Sequence, residues 1–397
     1  MSDISIPNFR FKKYTNNLVK AKLSKIATFN PKSSLPENFK YIDLESVLGT
    51  ELVSYREETR ESAPSRAQRV AQKGDVFYQM VRPYQKNNYL FDLNENNYVF
   101  STGYAQLRPK VDSSFLLARL QEEGFVNKVI ERCTGTSYPA INSKDLSRIS
   151  ITIPEDLEEQ SAIGSLFRTL DDLLVSYKDN LANYQSLKAT MLSKLFPKAG
   201  QTVPEIRLDG FERKWEKKKL IDLVSPVSRK VKKPSDPYYR LSIRSHAKGT
   251  FKQFVDDPKK IAMDNLFEVK ENDLVVNITF AWEHAIAVAS KEDDGLLVSH
   301  RFPTYVIDKS DKNFINIYIK REEFRQKMDL LSPGGAGRNR VLNVKDFINI
   351  QMIVPELEEQ QAIGAYFSNL DNLIDAHQEK ITQLETLKKK LLQDMFI

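Results

Sequence analysis

Apolar residues in two stretches of this chain recur at steps of four and three. The first series is Ile163, Phe167, Leu170, Leu174, Tyr177, Leu181, Tyr184, Met191 and Leu195; the second is Ile363, Phe367, Leu370, Ile374, Ile381, Leu384, Leu391 and Met395. That spacing predicts two helices, each with a heptad seam along one side. About 40 helical residues would span roughly 60 Å. A helix that long with one apolar stripe needs a partner of similar length, and the simplest partner is the other copy, laid antiparallel. Lys188 and Lys388 interrupt the two seams at equivalent points, and His377 interrupts the second.

The two helices are copies in more than their seams. "IPEDLEEQSAIGSLF" from Ile153 and "VPELEEQQAIGAYF" from Val354 share a start, and beyond Asp156 matched residues lie 200 apart. Gly164 pairs with Gly364 and Asp171 with Asp371, identities that lie outside the seam. The match runs back through "SKDLSRISITIP" and "VKDFINIQMIVP" and forward to "MLSKLFP" and "LLQDMFI". Pro154 and Pro355 suit a first helical turn, where the missing N–H costs nothing. The glutamates that follow suit the positive end of the helix dipole.

The duplication extends to the segments before each helix. Pro7 pairs with Pro204, Arg10 with Arg207, Tyr14 with Phe211 and Leu23 with Leu220, and "FPKAGQTVPEI" between the halves reads as a linker. Each segment mixes strand and helix signals. "QKGDVFYQMV" and "KENDLVVNITF" read as a turn and a buried strand, and "FSTGYAQLRP" and "VSHRFPTYVI" as later strands. "SSFLLARLQEEGFVNKVIE" and "NFINIYIKREEFRQKMDLL" read as one helix each. The expected fold is α+β: two similar domains, residues 1–152 and 201–353, separated by a pair of long antiparallel coiled-coil helices, residues 153–200 and 354–397.

Composition narrows the function. The chain is 41% hydrophobic and 28% charged, with a net charge of +6 and a pI near 9.0. A mildly basic surface suits a polyanionic partner. No run of about 18 apolar residues offers a membrane span, and "MSDISIPNFRFKKY" has no apolar signal core. Cys133 is the single cysteine, which leaves no disulfide framework and no cysteine-rich zinc site. These features place the chain in the cytoplasm.

The divergent middles of the two domains carry side chains that read DNA. The first has Arg66, Gln68, Arg69, Gln79, Arg82, Tyr84, Gln85 and Lys86, followed by Thr136 and Tyr138 in a polar loop. The second has Arg240, Arg244, Ser245, His246 and Lys248, then Asn277, Thr279, Trp282 and His284, then His300 and Arg301. Arginine can grip guanine through two bonds, and glutamine can grip adenine. A turn with Gly334, Gly335 and Gly337 precedes Arg338 and Arg340 and would let backbone approach a phosphate.

Catalytic patterns are absent. No glycine-rich cofactor loop follows a strand. "SDPYY" around Asp236 lacks the second proline of an adenine methyltransferase tetrapeptide. Asp257 with Glu268 and Lys270 fits a nuclease pattern only loosely, and His246, His284, His300 and His377 show no metal-ligand spacing. The residues point to a chain that binds and positions, with no catalytic group and no metal of its own.

The duplicated helix starts, the "VPEIRLDGFERKWEKKKL" opening and the "GTSYPAINSKDL" and "GGAGRNRVLNVKDF" segments resemble one family. The chain is similar to the specificity subunit of a type I restriction–modification system over essentially its whole length. The first opening departs from the pattern, since it lacks the trio found at Gly210, Phe211 and Trp215. The resemblance implies two target-recognition domains, each reading one half of a bipartite site in double-stranded DNA, with the helices as a ruler for the unread gap. It implies two methyltransferase subunits carrying S-adenosylmethionine, docked on the outer faces of the helices. It also implies restriction subunits that use ATP and Mg, and no cofactor in this chain. A self-contained DNA methyltransferase or nuclease, or a coiled-coil scaffold that ignores DNA, are the alternatives.

Overall fold

A computed structural model describes residues 7–135, 137–198, 200–332 and 340–396. The chain divides into two compact units, Met1–Asn180 with His377–Ile397, and Leu181–Ala376. Each unit therefore contains one mixed domain and portions of both long helices.

The first unit is rooted on a two-stranded antiparallel ribbon in which Leu18–Lys22 pairs with Ser150–Pro154. The unit also holds two four-stranded sheets. One has the order Arg56–Thr59, Asn38–Ile42, Tyr98–Ser101, Ala67–Val70; the other has Ala27–Phe29, Tyr104–Pro109, Val76–Gln79, Tyr89–Leu90. The core strand Val76–Gln79 is buried on both faces, as the apolar run Val76–Tyr78 predicts. Phe77 stacks on Phe100 at 3.6 Å in the core.

The same construction recurs in the second unit. Glu216–Lys219 pairs with Gln351–Val354 at the root. A four-stranded sheet runs Ser225–Val227, Thr304–Val306, Asp273–Val276, Ile286–Val288, and a five-stranded sheet runs Lys230–Lys232, Asn265–Glu268, Leu297–Val298, Tyr238–Ile243, Thr250–Val255. The mixture of strand and helix and the internal duplication are as the sequence predicts.

Two local expectations need correction. Each stretch read as one helix is two. Ser113–Gln121 and Glu123–Ile130 break at Glu122, whose backbone is extended and whose carboxylate caps the amides of Gly124 and Phe125. Lys312–Tyr318 and Glu322–Leu330 break before Glu322, where Arg321 is extended. The prolines do not occupy the first turn of the long helices. Pro154 ends a strand, and the helices run Leu157–Lys194 and Leu357–Met395. Each proline serves through its carbonyl instead, which accepts from Gln160 Nε2 at 2.8 Å and from Gln360 Nε2 at 2.9 Å.

Each long helix begins on its own domain. The Glu159 carboxylate, 1% exposed, accepts a forked pair of bonds from Arg10 at 2.6 and 2.7 Å. Glu359 does the same with Arg207 at 2.8 and 2.6 Å. These are the arginines that match across the repeat. One turn further on, Gly164 and Gly364 lie directly beneath the capped starts of the helices at Ser113 and Lys312. A Cβ on Gly164 would sit 2.6 Å from the amide of Phe115, and one on Gly364 would sit 3.1 Å from the amide of Phe314.

The seams pack within each unit. Ile163, Phe167, Leu170 and Leu174 are buried, as are Ile363, Phe367, Leu370, Ile381 and Leu384, while Leu181 and Ile374 are half-buried. In the first unit Phe396 packs against Phe115 and Phe167, both at 5.8 Å, and His377 meets Tyr177 at 5.4 Å. In the second, Phe196 packs on Phe314 at 5.6 Å and Trp215 at 5.8 Å. The two lysines that interrupt the seams have a purpose. Lys388 pairs with Asp171 in the first unit, and Lys188 with Asp371 in the second. No helix among the described residues is long and apolar enough to cross a membrane.

Candidate nucleic-acid interface

In each domain the central buried strand ends in a short surface knuckle. In the first, Val76–Gln79 leads to the 3₁₀ turn Pro83–Gln85; in the second, Asp273–Val276 leads to the 3₁₀ turn Ala281–Glu283. Both turns end on a left-handed residue, Lys86 with φ 57° and His284 with φ 60°. The strands start alike too. Asp75 and Asp273 are buried, each caps a backbone amide three residues earlier, and each is held by an arginine, Arg108 or Arg229. Aligned on these aspartates, Arg82 corresponds to Phe280, Tyr84 to Trp282 and Gln79 to Asn277.

Neighbouring loops converge on each knuckle. In the first domain the Arg82 amide donates to the Pro139 carbonyl at 2.8 Å, and Val81 bridges Ala140. The Arg82 guanidinium lies 4.6 Å from the centre of the Tyr138 ring. Thr102 donates to the Arg66 carbonyl beside the turn that carries Gly103, which in turn accepts from Met80. In the second domain the amides of His246 and Ala247 donate to the carbonyls of Glu283 and His284, and Ser245 bonds the Glu283 carboxylate. The Ile278 amide donates to the Arg301 carbonyl at 3.0 Å. Arg340 lies over the Trp282 ring at 5.6 Å. Residues far apart in sequence, such as Ser245, Trp282, Arg301 and Arg340, are thus gathered at one end of one domain.

Not every candidate presents its head to solvent. Gln79 is buried, and its amide holds Gln85 and the Asn87 backbone, so its geometry is that of a loop support. Asn277 is buried and accepts from the Thr279 amide and hydroxyl. His284 is buried with Nε2–H donating to the Ile319 carbonyl at 2.6 Å; burial pushes its pKa down, with that hydrogen bond opposing. Lys86 pairs with Glu123, Arg240 bonds Gln253, Arg340 pairs with Asp329, and Arg244 donates to the Thr250 carbonyl while lying over Phe251. Gln68 donates to the Ser65 carbonyl. Arg69 is half-buried, and burial lowers its pKa. Arg66, Tyr84, Tyr138, His246, Lys248, His300 and Arg301 are exposed. Thr136, Gly334, Gly335, Gly337 and Arg338 lie outside the described residues.

One residue of this surface escapes a reading of the sequence. Phe280 is 48% exposed at the tip of the second knuckle. It ends "KENDLVVNITF", which reads as a turn and a buried strand; only its alignment with Arg82 would have flagged it. The near-miss catalytic residues have structural roles. Asp257 caps the Lys259 amide, and Glu268 pairs with Lys270 at 2.7 Å. Among the described residues no three His, Cys, Asp or Glu side chains are grouped to hold a metal ion.

Comparison with known proteins gives these features a context. Residues 52–183 and 212–386 match the model of the type I restriction modification DNA specificity domain, together more than half of the chain. The MjaVIII type I restriction enzyme specificity subunit of Methanocaldococcus jannaschii is 24% identical over 338 residues, covering 81% of this chain and 73% of its own. The HindI specificity subunit of Haemophilus influenzae is 29% identical over 141 residues, covering 34% of this chain and 30% of its own. The crystal structure of a type I restriction-modification S subunit from M. genitalium aligns over 99% of both chains with a TM-score of 0.59 and 13% identity, which speaks to the fold alone. The duplicated domains and the family match agree: the chain belongs to the type I restriction–modification DNA specificity family.

Proposed function

We propose that this specificity subunit reads a bipartite site in double-stranded DNA, one half with residues 1–152 and the other with residues 201–353. The observation that carries the reading is the pair of matched knuckles. Their scaffolds agree down to the buried aspartate and the left-handed cap, while the side chains at their tips differ. A duplicated frame with divergent tips suits an asymmetric sequence read by two equivalent readers. The exposed arginines, lysine and histidines around the tips suit phosphate contacts, which position a protein without carrying sequence.

The long helices, residues 153–200 and 354–397, act in this reading as an antiparallel coiled-coil spacer that sets the unread gap. The chain itself is a non-catalytic component. Two methyltransferase subunits carrying S-adenosylmethionine, and restriction subunits using ATP and Mg, supply the chemistry in the cytoplasm. Beyond Leu157 and Leu357, the exposed first residues of the helices, each unit exposes one leucine from each helix, Leu173 and Leu387 in the first and Leu187 and Leu373 in the second. Exposed leucines at matching places in the two units suit two equal partners.

Exchange of residues 1–152 for the matching segment of another family member tests the reading. One half of the methylated motif changes and the other half stays. A change in both halves, or in neither, refutes modular reading. Lengthening both helices by one heptad alters the gap and leaves the read bases alone; an unchanged gap refutes the spacer.

A further inference from the structure

We propose that Arg82 reads a guanine in the half-site held by the first domain. The proposal rests on the bipartite reading above and adds a base and a residue to it.

The backbone at Arg82 is left-handed, with φ 53° and ψ 54°, a conformation that non-glycine residues seldom adopt and that gathers at functional sites. Its amide is fixed by the Pro139 carbonyl. Its guanidinium lies 4.6 Å from the centre of the Tyr138 ring, which is itself 64% exposed. Stacking uses the face of the guanidinium and leaves its N–H edge unused. Among the described residues, no carboxylate or carbonyl accepts from that edge. A planar fork held by a ring and lacking an acceptor matches the paired O6 and N7 acceptors that guanine shows in the major groove.

The other arginines around the knuckles are differently placed. Arg240 and Arg340 already bond Gln253 and Asp329, and Arg244 bonds the Thr250 carbonyl. Arg66 and Arg301 are exposed, which suits the looser demands of phosphate. At the position matching Arg82 the second domain has Phe280, which offers no donor at all. The two half-sites are therefore read with different chemistry at the same step: a guanine by a fork in one, an apolar contact in the other.

The test uses the complex of this chain with its methyltransferase partner and a duplex carrying the mapped site. Each guanine of the first domain's half-site is replaced in turn by 7-deazaguanine, which lacks N7. One replacement weakens binding of the wild-type complex roughly tenfold and has little effect on the complex carrying Arg82→Ala. Arg82→Lys keeps a donor that can reach O6 and N7 but loses the planar fork, so it keeps only part of the guanine preference that Arg82→Ala abolishes. The methylome of cells with Arg82→Ala then accepts any base at that one step, with the second half-site and the gap as before. The proposal is overturned if no guanine in that half-site responds, if the half-site has none, or if Arg82→Ala retains the preference. A wild-type complex indifferent to every replacement overturns the proposal even where a variant does not assemble. Failure of the bipartite reading gives a different result, a motif indifferent to exchange of residues 1–152.

Discussion

Replacing Gly164 by alanine sets two physical effects of opposite sign against each other. Gly164 sits inside the helix Leu157–Lys194, where alanine is favoured over glycine by about 1 kcal/mol. Judged by helix propensity alone, the substitution stabilises. The packing says otherwise. The new Cβ would lie 2.6 Å from the Phe115 amide and 2.9 Å from Ser114 Cβ, on the start of a helix whose first amides are capped by Asp112. Those neighbours are backbone and short side chains in a buried joint, so they yield only if the two helices move apart. Overpacking of this kind costs about 1–3 kcal/mol, and a displaced Asp112 cap adds about 1 kcal/mol. The expected net effect of Gly164→Ala is a loss of about 1–3 kcal/mol. Gly364→Ala follows the same argument on the Asp311-capped helix, where the Cβ would meet Asn313 Cβ at 3.0 Å and the Phe314 amide at 3.1 Å. The nearest atom at both sites is the capping aspartate's Oδ1, of Asp112 or Asp311, so a loss of the same order is expected. Urea denaturation followed by far-UV circular dichroism measures both. Stabilisation by either substitution would refute the close-approach reasoning and leave propensity as the controlling effect.

Two further substitutions probe the repeated frame and the second domain. Arg207→Ala strands the Glu359 carboxylate, which is 1% exposed, and costs about 3–5 kcal/mol in denaturant unfolding, whereas Arg207→Met with Glu359→Leu costs far less; equal losses in the two variants would contradict a buried-charge effect. His284 has its pKa lowered from 6.5 by burial, so the unfolded chain binds the proton more readily. The stability this contributes is complete above about pH 6.5 and falls as pH drops below it, by at most about 1.4 kcal/mol per pH unit. The stability difference between wild type and His284→Gln, measured at pH 8 and pH 5.5, shrinks at the lower pH; a constant difference refutes the linkage.

The frame is legible in the sequence because duplication repeats what packing constrains. The match of Gly164 with Gly364 marks two helix joints, and the matched Asp171 and Asp371 turn out to be the partners of the lysines that break the seams. The reasons for these identities are tertiary, and no periodicity reveals them. The pairing of Arg10 with Arg207 across the repeat likewise foreshadows the two buried glutamates without naming them. The site is less legible. Gln79, Asn277 and His284 have the chemistry of base readers, yet each lies inside the fold and supports the loop beside it. Side-chain type is local information, and whether a head faces solvent is decided by strands elsewhere in the chain. Phe280 errs in the other direction, an apolar residue at the end of a buried strand that the knuckle turns outward. The break at Glu122 escaped a helical pattern because a single carboxylate capping two amides outweighs the periodicity around it.

The central claim is that two domains of one chain read two halves of one DNA site. It is tested most directly by mapping methylated adenines across the genome with long-read sequencing, in cells that carry this gene with its methyltransferase partner and in cells from which this gene alone is deleted. The account predicts a split motif with one fixed gap that disappears on deletion. A methylome unchanged by the deletion, or a lost motif that is continuous, would contradict it.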